Sequence, residues 1–223
     1  MKATVLMYNS EGTNREVKVE KQLLQRFVEW AKHSDLNEPV RITEPRELAP
    51  QPPLFQEITG EVAEFYSAVT FSSNLYPGLG QFFVFVPLES SRALAEGWAL
   101  VKNPETAEYE LDPDWDRGEC VFFGHEAGDG AAFVHCDTGI VYGMLTGSSE
   151  KMPLAPSLSV FLHALFDVAD IQKEIMICND DEYEDEIGPK KVYLRRAIAH
   201  ARPLVGEKYW PGFSEYLCLE IYE

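Results

Sequence analysis

From Cys120 to Leu145 the chain strings together three short segments rich in aromatic and β-branched residues: Cys120–Phe123, Ala131–Cys136 and Ile140–Leu145. The last two flank Asp137-Thr138-Gly139. A three-residue connection whose glycine can take the left-handed conformation predicts that they pair as an antiparallel hairpin. Ahead of the hairpin, Gly124, Gly128 and Gly130 surround Asp129. Glycines there permit positive φ in a tight bend, and an aspartate in the bend accepts backbone N–H bonds in an Asx-type arrangement. Gly124, Gly128, Asp129, Gly130, Asp137 and Gly139 are accordingly read as structural turn residues.

Helical spacing appears on both sides of this region. Leu23, Leu24, Phe27, Val28 and Ala31 form one apolar stripe, and Val62, Phe65, Tyr66 and Val69 form another. Ser157 is placed to cap a helix whose Leu158, Phe161, Leu162, Leu165, Phe166 and Ala169 fall on one side, ready to pack across a sheet. Tyr193, Leu194, Ala197, Ile198 and Ala201 suggest a further helix, stopped near Pro203. Gln81–Val86 reads as a buried strand between Gly80 and Pro87, with a short helix over Leu88–Trp98 after it.

The remaining segments read as strands or connections. Ala3–Tyr8 and Glu16–Val19 flank a polar turn, which is hairpin chemistry. Asp35 to Pro53 holds Pro39, Pro45, Pro50, Pro52 and Pro53 and is expected to be an irregular connector. Ser72–Gly80 reads as a turn and Lys102–Glu119 as a loop, while Pro153 and Pro156 break the chain. Tyr216–Tyr222 alternates as a closing strand would.

With 223 residues, 45% of them hydrophobic, the chain can bury one sizeable core, so residues 1–223 are expected to form a single domain. Its longest apolar stretches fall far short of the roughly 20 residues that cross a bilayer. Met1–Met7 turns polar too soon for a secretory signal. Cys120, Cys136, Cys178 and Cys218 make no C-x-x-C pair and read as reduced thiols, so a cytoplasmic location is expected.

Thirty-seven acidic residues against nineteen Lys and Arg give a formal charge of -18. That field repels nucleic-acid backbones and anionic lipid headgroups and speeds encounter with a basic protein. Asp180, Asp181, Glu182, Glu184, Asp185 and Glu186 crowd six carboxylates into seven positions. They lack the spaced ligands of a calcium loop, and they are the candidate docking site for a basic partner.

Enzyme chemistry finds weaker support. His125-Glu126 begins like a zinc-peptidase H-E-x-x-H motif, but its fifth position is Asp129. Cys120, His125, His135 and Cys136 are possible zinc ligands, yet neighbouring His135 and Cys136 point to opposite faces of a strand. Gly124, Gly128 and Gly130 lack the Lys-Ser/Thr of a phosphate-binding loop, and Ser148 and Ser149 lack a G-x-S-x-G frame. No catalytic, metal or cofactor residues are assigned. The alternative to a binding role is a small hydrolase or metal enzyme using His125, Asp129 and His135.

Phe123-Gly124, Gly128-Asp129-Gly130, Asp137-Thr138-Gly139 and Val141-Tyr142 together resemble the signature of the SMI1/KNR4 (SUKH) superfamily. Glu64-Phe65-Tyr66 is similar to that family's early helix, and Phe85-Val86-Pro87-Leu88-Glu89 to its strand-to-helix step. The resemblance spans approximately residues 54–168. Residues 1–53 (hairpin, helix and connector) and 169–223 are then N- and C-terminal elaborations. The family's Leu-Pro pair before the early helix is absent, and the longer Asn74–Gly80 turn replaces its glycine pair.

The resemblance implies an α+β fold with a mixed, mainly antiparallel sheet backed by helices, and no catalytic residues. It implies a binding scaffold: in bacteria an immunity protein that neutralises a toxin, often a nuclease, and in fungi a regulator. No oligomeric state follows from it.

Overall fold

The computed structural model describes residues 7–8, 14–15, 19–32, 38–76, 83–126, 130–178, 184–185, 188–189 and 191–219. At the N-terminus β1 (Met7–Tyr8) pairs antiparallel with β2 (Asn14–Arg15). Of the hairpin expected from Ala3–Tyr8 and Glu16–Val19, Met7–Tyr8 is paired, but with Asn14–Arg15, and residues 3–6 and 16–18 lie outside the described residues. Helix α1 (Lys21–Ala31) buries Leu23, Leu24, Phe27 and Ala31 as the spacing requires, and adds Trp30. The proline-rich connector departs from the irregular path expected of it. Its β3 (Arg41–Ile42) pairs with β4 (Val69–Thr70), which follows α2 (Gly60–Ala68).

β5 (Phe83–Phe85) is followed by a single 3-10 turn (Leu88–Ser90) and α3 (Ser91–Leu94), a shorter helix than the sequence suggested. Next, β6 (Leu100–Lys102) pairs with β7 (Tyr109–Leu111), so Lys102–Glu119 contains half of a hairpin where a loop was expected. β8 (Cys120–Glu126), β9 (Ala131–His135), β10 (Val141–Met144) and β11 (Met152–Ala155) come after it. A 21-residue helix, α4 (Leu158–Cys178), follows. The chain continues with β12 (Glu184–Asp185), β13 (Gly188–Pro189), α5 (Lys191–Val205) and α6 (Trp210–Tyr216).

The main sheet runs β11-β10-β9-β8-β5, with every neighbouring pair antiparallel. The architecture is α+β, antiparallel sheets packed against helices. The β9–β10 hairpin is as expected: Gly139 sits at φ +70° and donates its N–H to the His135 carbonyl at 2.9 Å.

Gly124 is a correction. It lies inside β8, opposite Phe85, and not in a turn. A Cβ there would stand 2.3 Å from the Phe83 ring and 2.5 Å from the Val84 carbonyl oxygen, so the glycine is needed for close approach of β5. Gly128 and Asp129 lie outside the described residues.

Pro153, expected to break the chain, is instead accommodated in β11, an edge strand where a missing N–H costs least. The predicted closing strand at 216–222 is also corrected. Tyr216 ends α6 and residues 217–218 form a turn, while 220–222 lie outside the described residues. Phe213, Tyr216 and Leu217 are buried at helical spacing, which outweighs the weaker alternation. Tyr216 packs its ring against Gly143, and its hydroxyl accepts the Glu126 N–H at 3.1 Å.

Helices α1, α2 and α4 seal one face of the sheet with aromatic rings. Phe27 meets Phe85 edge-on at 5.0 Å, and Phe161 meets Phe83 at 5.3 Å and Phe123 at 5.6 Å. Ser157 caps α4 as expected, accepting the Val160 N–H at 3.4 Å. Glu61 of α2 reinforces that end by accepting the Ser159 N–H at 2.7 Å, a carboxylate where the helix dipole favours one. Arg26 holds α1 to α4 through Asp167 and Asp170, each at 2.6 Å.

Candidate functional site: an acidic, aromatic groove on the open face of the sheet

Consecutive strand residues face opposite ways, so Phe122 turns from the helices that Phe123 meets. Its neighbours are Phe133 at 5.2 Å and Trp115 at 5.9 Å. Phe133 in turn stacks on Tyr142 at 5.3 Å, with the planes 15° apart. The segment that carries Trp115 and Arg117 lies on this side, its rings beside charged groups.

Local hydrogen bonds shape that segment. The β6–β7 turn closes on Asn103, whose Oδ1 accepts the N–H groups of Glu105 (2.8 Å) and Thr106 (3.3 Å). Beyond β7, Asp112 anchors a second turn. Its N–H donates to the Ala99 carbonyl at 2.9 Å, its Oδ1 accepts the Asp114 N–H at 2.9 Å, and its carbonyl accepts the Trp115 N–H at 2.9 Å. Ala99, next to Trp98 in sequence, is thereby tied to the start of the turn that ends at Trp115. The Trp115 indole N–H donates to the Gly118 carbonyl at 3.0 Å.

Between this turn and the 146–149 segment lies an open groove of about 530 Å³, lined by Trp98, Asp112, Asp114, Trp115, Met144 and Lys151 among others. Lys151 sits 5.1 Å from the Trp115 ring centre and pairs with Asp116 at 3.1 Å. Arg117 lies 4.9 Å from the Tyr142 ring centre, with its Nε 3.7 Å from the same Asp116. The Lys151 hydrogen bond, with Arg117 nearby, holds the Asp116 carboxyl below the usual carboxylate range. One carboxylate thus serves two cations, each over an aromatic face, an arrangement favourable to both ring quadrupoles.

The surroundings are acidic. Residues 105–119 carry seven carboxylates, Glu105, Glu108, Glu110, Asp112, Asp114, Asp116 and Glu119, against the single base Arg117. Sequence reasoning treated the stretch as a polar loop. The missed signal is its alternation: every second residue from Glu108 to Asp116 is acidic, with Tyr109, Leu111 and Trp115 between them. A period of two is that of an extended chain, which the segment adopts over Tyr109–Leu111 before it turns at Asp112.

The residues proposed for enzyme chemistry are not brought together. His135 is opposite Cys120 across the β8–β9 ladder, and His125 lies five residues further along β8. At about 3.3 Å per residue the imidazoles are on the order of 16 Å apart along the strands. His135 Nδ1 accepts the Thr138 N–H at 3.2 Å in the hairpin turn, and His125 Nδ1 lies 2.8 Å from the Glu126 carbonyl oxygen.

Asp129, the third member of that set, lies outside the described residues. Among the described residues, no group of three or more His, Cys, Asp or Glu could hold a metal ion. Cys120 and Cys136 are buried free thiols; burial, with the Glu119 and Asp137 carboxylates, pushes Cys136 up to about 12.

Of the acidic run, Glu184 and Asp185 form β12, paired with β13. Asp180, Asp181, Glu182 and Glu186 lie outside the described residues. Among the described residues no helix is long and apolar enough to cross a membrane. Compared with known proteins, the chain matches no protein-family model, no curated protein and no solved structure.

Proposed function

We propose that this chain is a cytoplasmic, non-enzymatic protein-binding protein of the SMI1/KNR4 (SUKH) type, an immunity protein or regulatory scaffold whose partner is a basic protein. The observation that carries the reading is the groove face, where Trp98 lines the same groove as Trp115 and its strongly acidic segment, and the imidazoles stand apart. Interfaces favour tryptophan, which offers large rigid contact area at low entropic cost. The -18 charge steers a cationic partner toward the chain while repelling nucleic acid and anionic membranes.

A toxin that is a nuclease fits this field, since a groove that attracts phosphates also attracts carboxylates. Asp180 to Glu186 would add to the steering. The succession of early helix, β5 with its Pro87-Leu88-Glu89 step, β8, the β9–β10 hairpin and α4 supports the SUKH-type reading.

The test is capture from native lysate on the immobilised chain at about 0.05 and 0.5 M salt, where screening lengths differ several-fold. Retention of a protein of basic isoelectric point, released by the higher salt, is the expected outcome. Retention without basic bias, or indifferent to salt, contradicts the reading.

A further inference from the structure

Lys151 shows what this groove can hold. Its ammonium sits against the Trp115 ring and is hydrogen-bonded by Asp116, so one half of the site already contains a cation between an aromatic face and a carboxylate. The other half repeats the ingredients without the cation. Trp98 is half-buried in the groove wall, and the Asp112 N–H bond to the Ala99 carbonyl fixes Asp112 one residue from it in space.

Asp114 is exposed on the same turn. Among the described residues no Lys or Arg lies over Trp98, and neither Asp112 nor Asp114 has an ion-pair partner. Both carboxylates line the groove together with Trp98, and a cation against that ring would offset their charge.

We propose that the Trp98–Asp112–Asp114 half of the groove receives an arginine or lysine side chain of the protein partner, in the way Lys151 fills the other half. This rests on the binding reading above and names the group recognised. Arginine suits the site better than lysine. Its planar guanidinium can lie flat on the Trp98 ring while its edge donates to both carboxylates, where an ammonium offers a point charge.

The probe is a tetra-arginine peptide titrated into isotopically labelled protein at about 0.15 M salt, following the indole N–H signals of Trp30, Trp98, Trp115 and Trp210. The Trp98 signal should move most, Trp115 less, and the buried Trp30 not at all. Asp112→Asn with Asp114→Asn keeps a side-chain oxygen at 112 to accept the N–H of residue 114, and should weaken binding about tenfold. Glu44→Gln with Glu47→Gln removes the same charge from the exposed connector beside α2 and should change it less than about twofold.

An unshifted Trp30 signal certifies that each variant is folded. Equal weakening by both pairs overturns the groove assignment while leaving an acidic docking protein intact. A Trp98 signal that never moves overturns the assignment as well, and salt-dependent capture then decides separately whether a basic partner exists.

Discussion

The two faces of the five-stranded sheet are both lined with aromatic rings and yet are built for different ends. On the helix side, Phe83, Phe85, Phe123 and Phe161 meet one another and are sealed under α1, α2 and α4. On the other side Phe122 and Phe133 give way outward to Trp115 and Tyr142, each with a cation over its ring, and then to carboxylates. Rings without polar edges bury completely and stabilise. Rings that carry polar groups, ringed by charge, stay accessible and recognise.

The sharpest way to break this contrast is to truncate a ring on the sealed side. Phe161→Ala should lower unfolding stability by about 3 to 5 kcal/mol, read by urea denaturation, with the affinity of the folded fraction for a basic partner unchanged. Overpacking follows in size. Gly124→Ala drives a methyl into the Phe83 ring and the Val84 carbonyl, and should cost about 1 to 3 kcal/mol.

Alkaline pH probes the buried thiols. Cys136 ionises near 9.0 when unfolded and is raised to about 12 in the fold, chiefly by burial. Between those values the unfolded chain has lost a proton that the native one keeps. Stability therefore falls as pH rises, by about 1.4 kcal/mol per pH unit for such a group. Urea midpoints at pH 8 and pH 10.5 should show it, and Cys136→Ala should flatten the slope.

The smallest effect on stability belongs to the groove. Lys151→Met breaks a partly exposed ion pair and should cost less than about 1 kcal/mol, while removing a positive charge from the docking surface and raising the association rate of a basic partner about twofold or more. Arg26→Met on the helix side should leave that rate unchanged.

Much of the sealed side was legible in the sequence, because its helices place apolar residues at fixed spacing. Leu23, Leu24 and Phe27 in α1 and Phe161, Leu162 and Leu165 in α4 are examples. The β9–β10 hairpin was equally plain from Asp137-Thr138-Gly139. What escaped was decided by tertiary contact. Gly124 looked like a turn glycine because its need is set by Phe83, forty-one positions earlier in the chain. Pro153 looked like a break because only the sheet order makes β11 an edge.

The groove itself was half visible. The alternating carboxylates from Glu108 to Asp116 were there to read, but the groove that some of them share with Trp98 and Lys151 depends on the β6–β7 hairpin and the turn after β10. The docking site expected from sequence was Asp180 to Glu186, most of it outside the described residues, while His125 and His135 of the alternative enzyme reading stand at opposite ends of a strand pair.

Hydrogen–deuterium exchange on the chain, free and bound to the basic protein recovered by salt-sensitive capture, bears most directly on the division of labour between the two faces. Binding should slow exchange in 97–115 and 144–151 and leave α1 and α4 as they were. Protection confined to residues 21–31 and 158–178, with the tryptophan groove exchanging at its free rate, would contradict it.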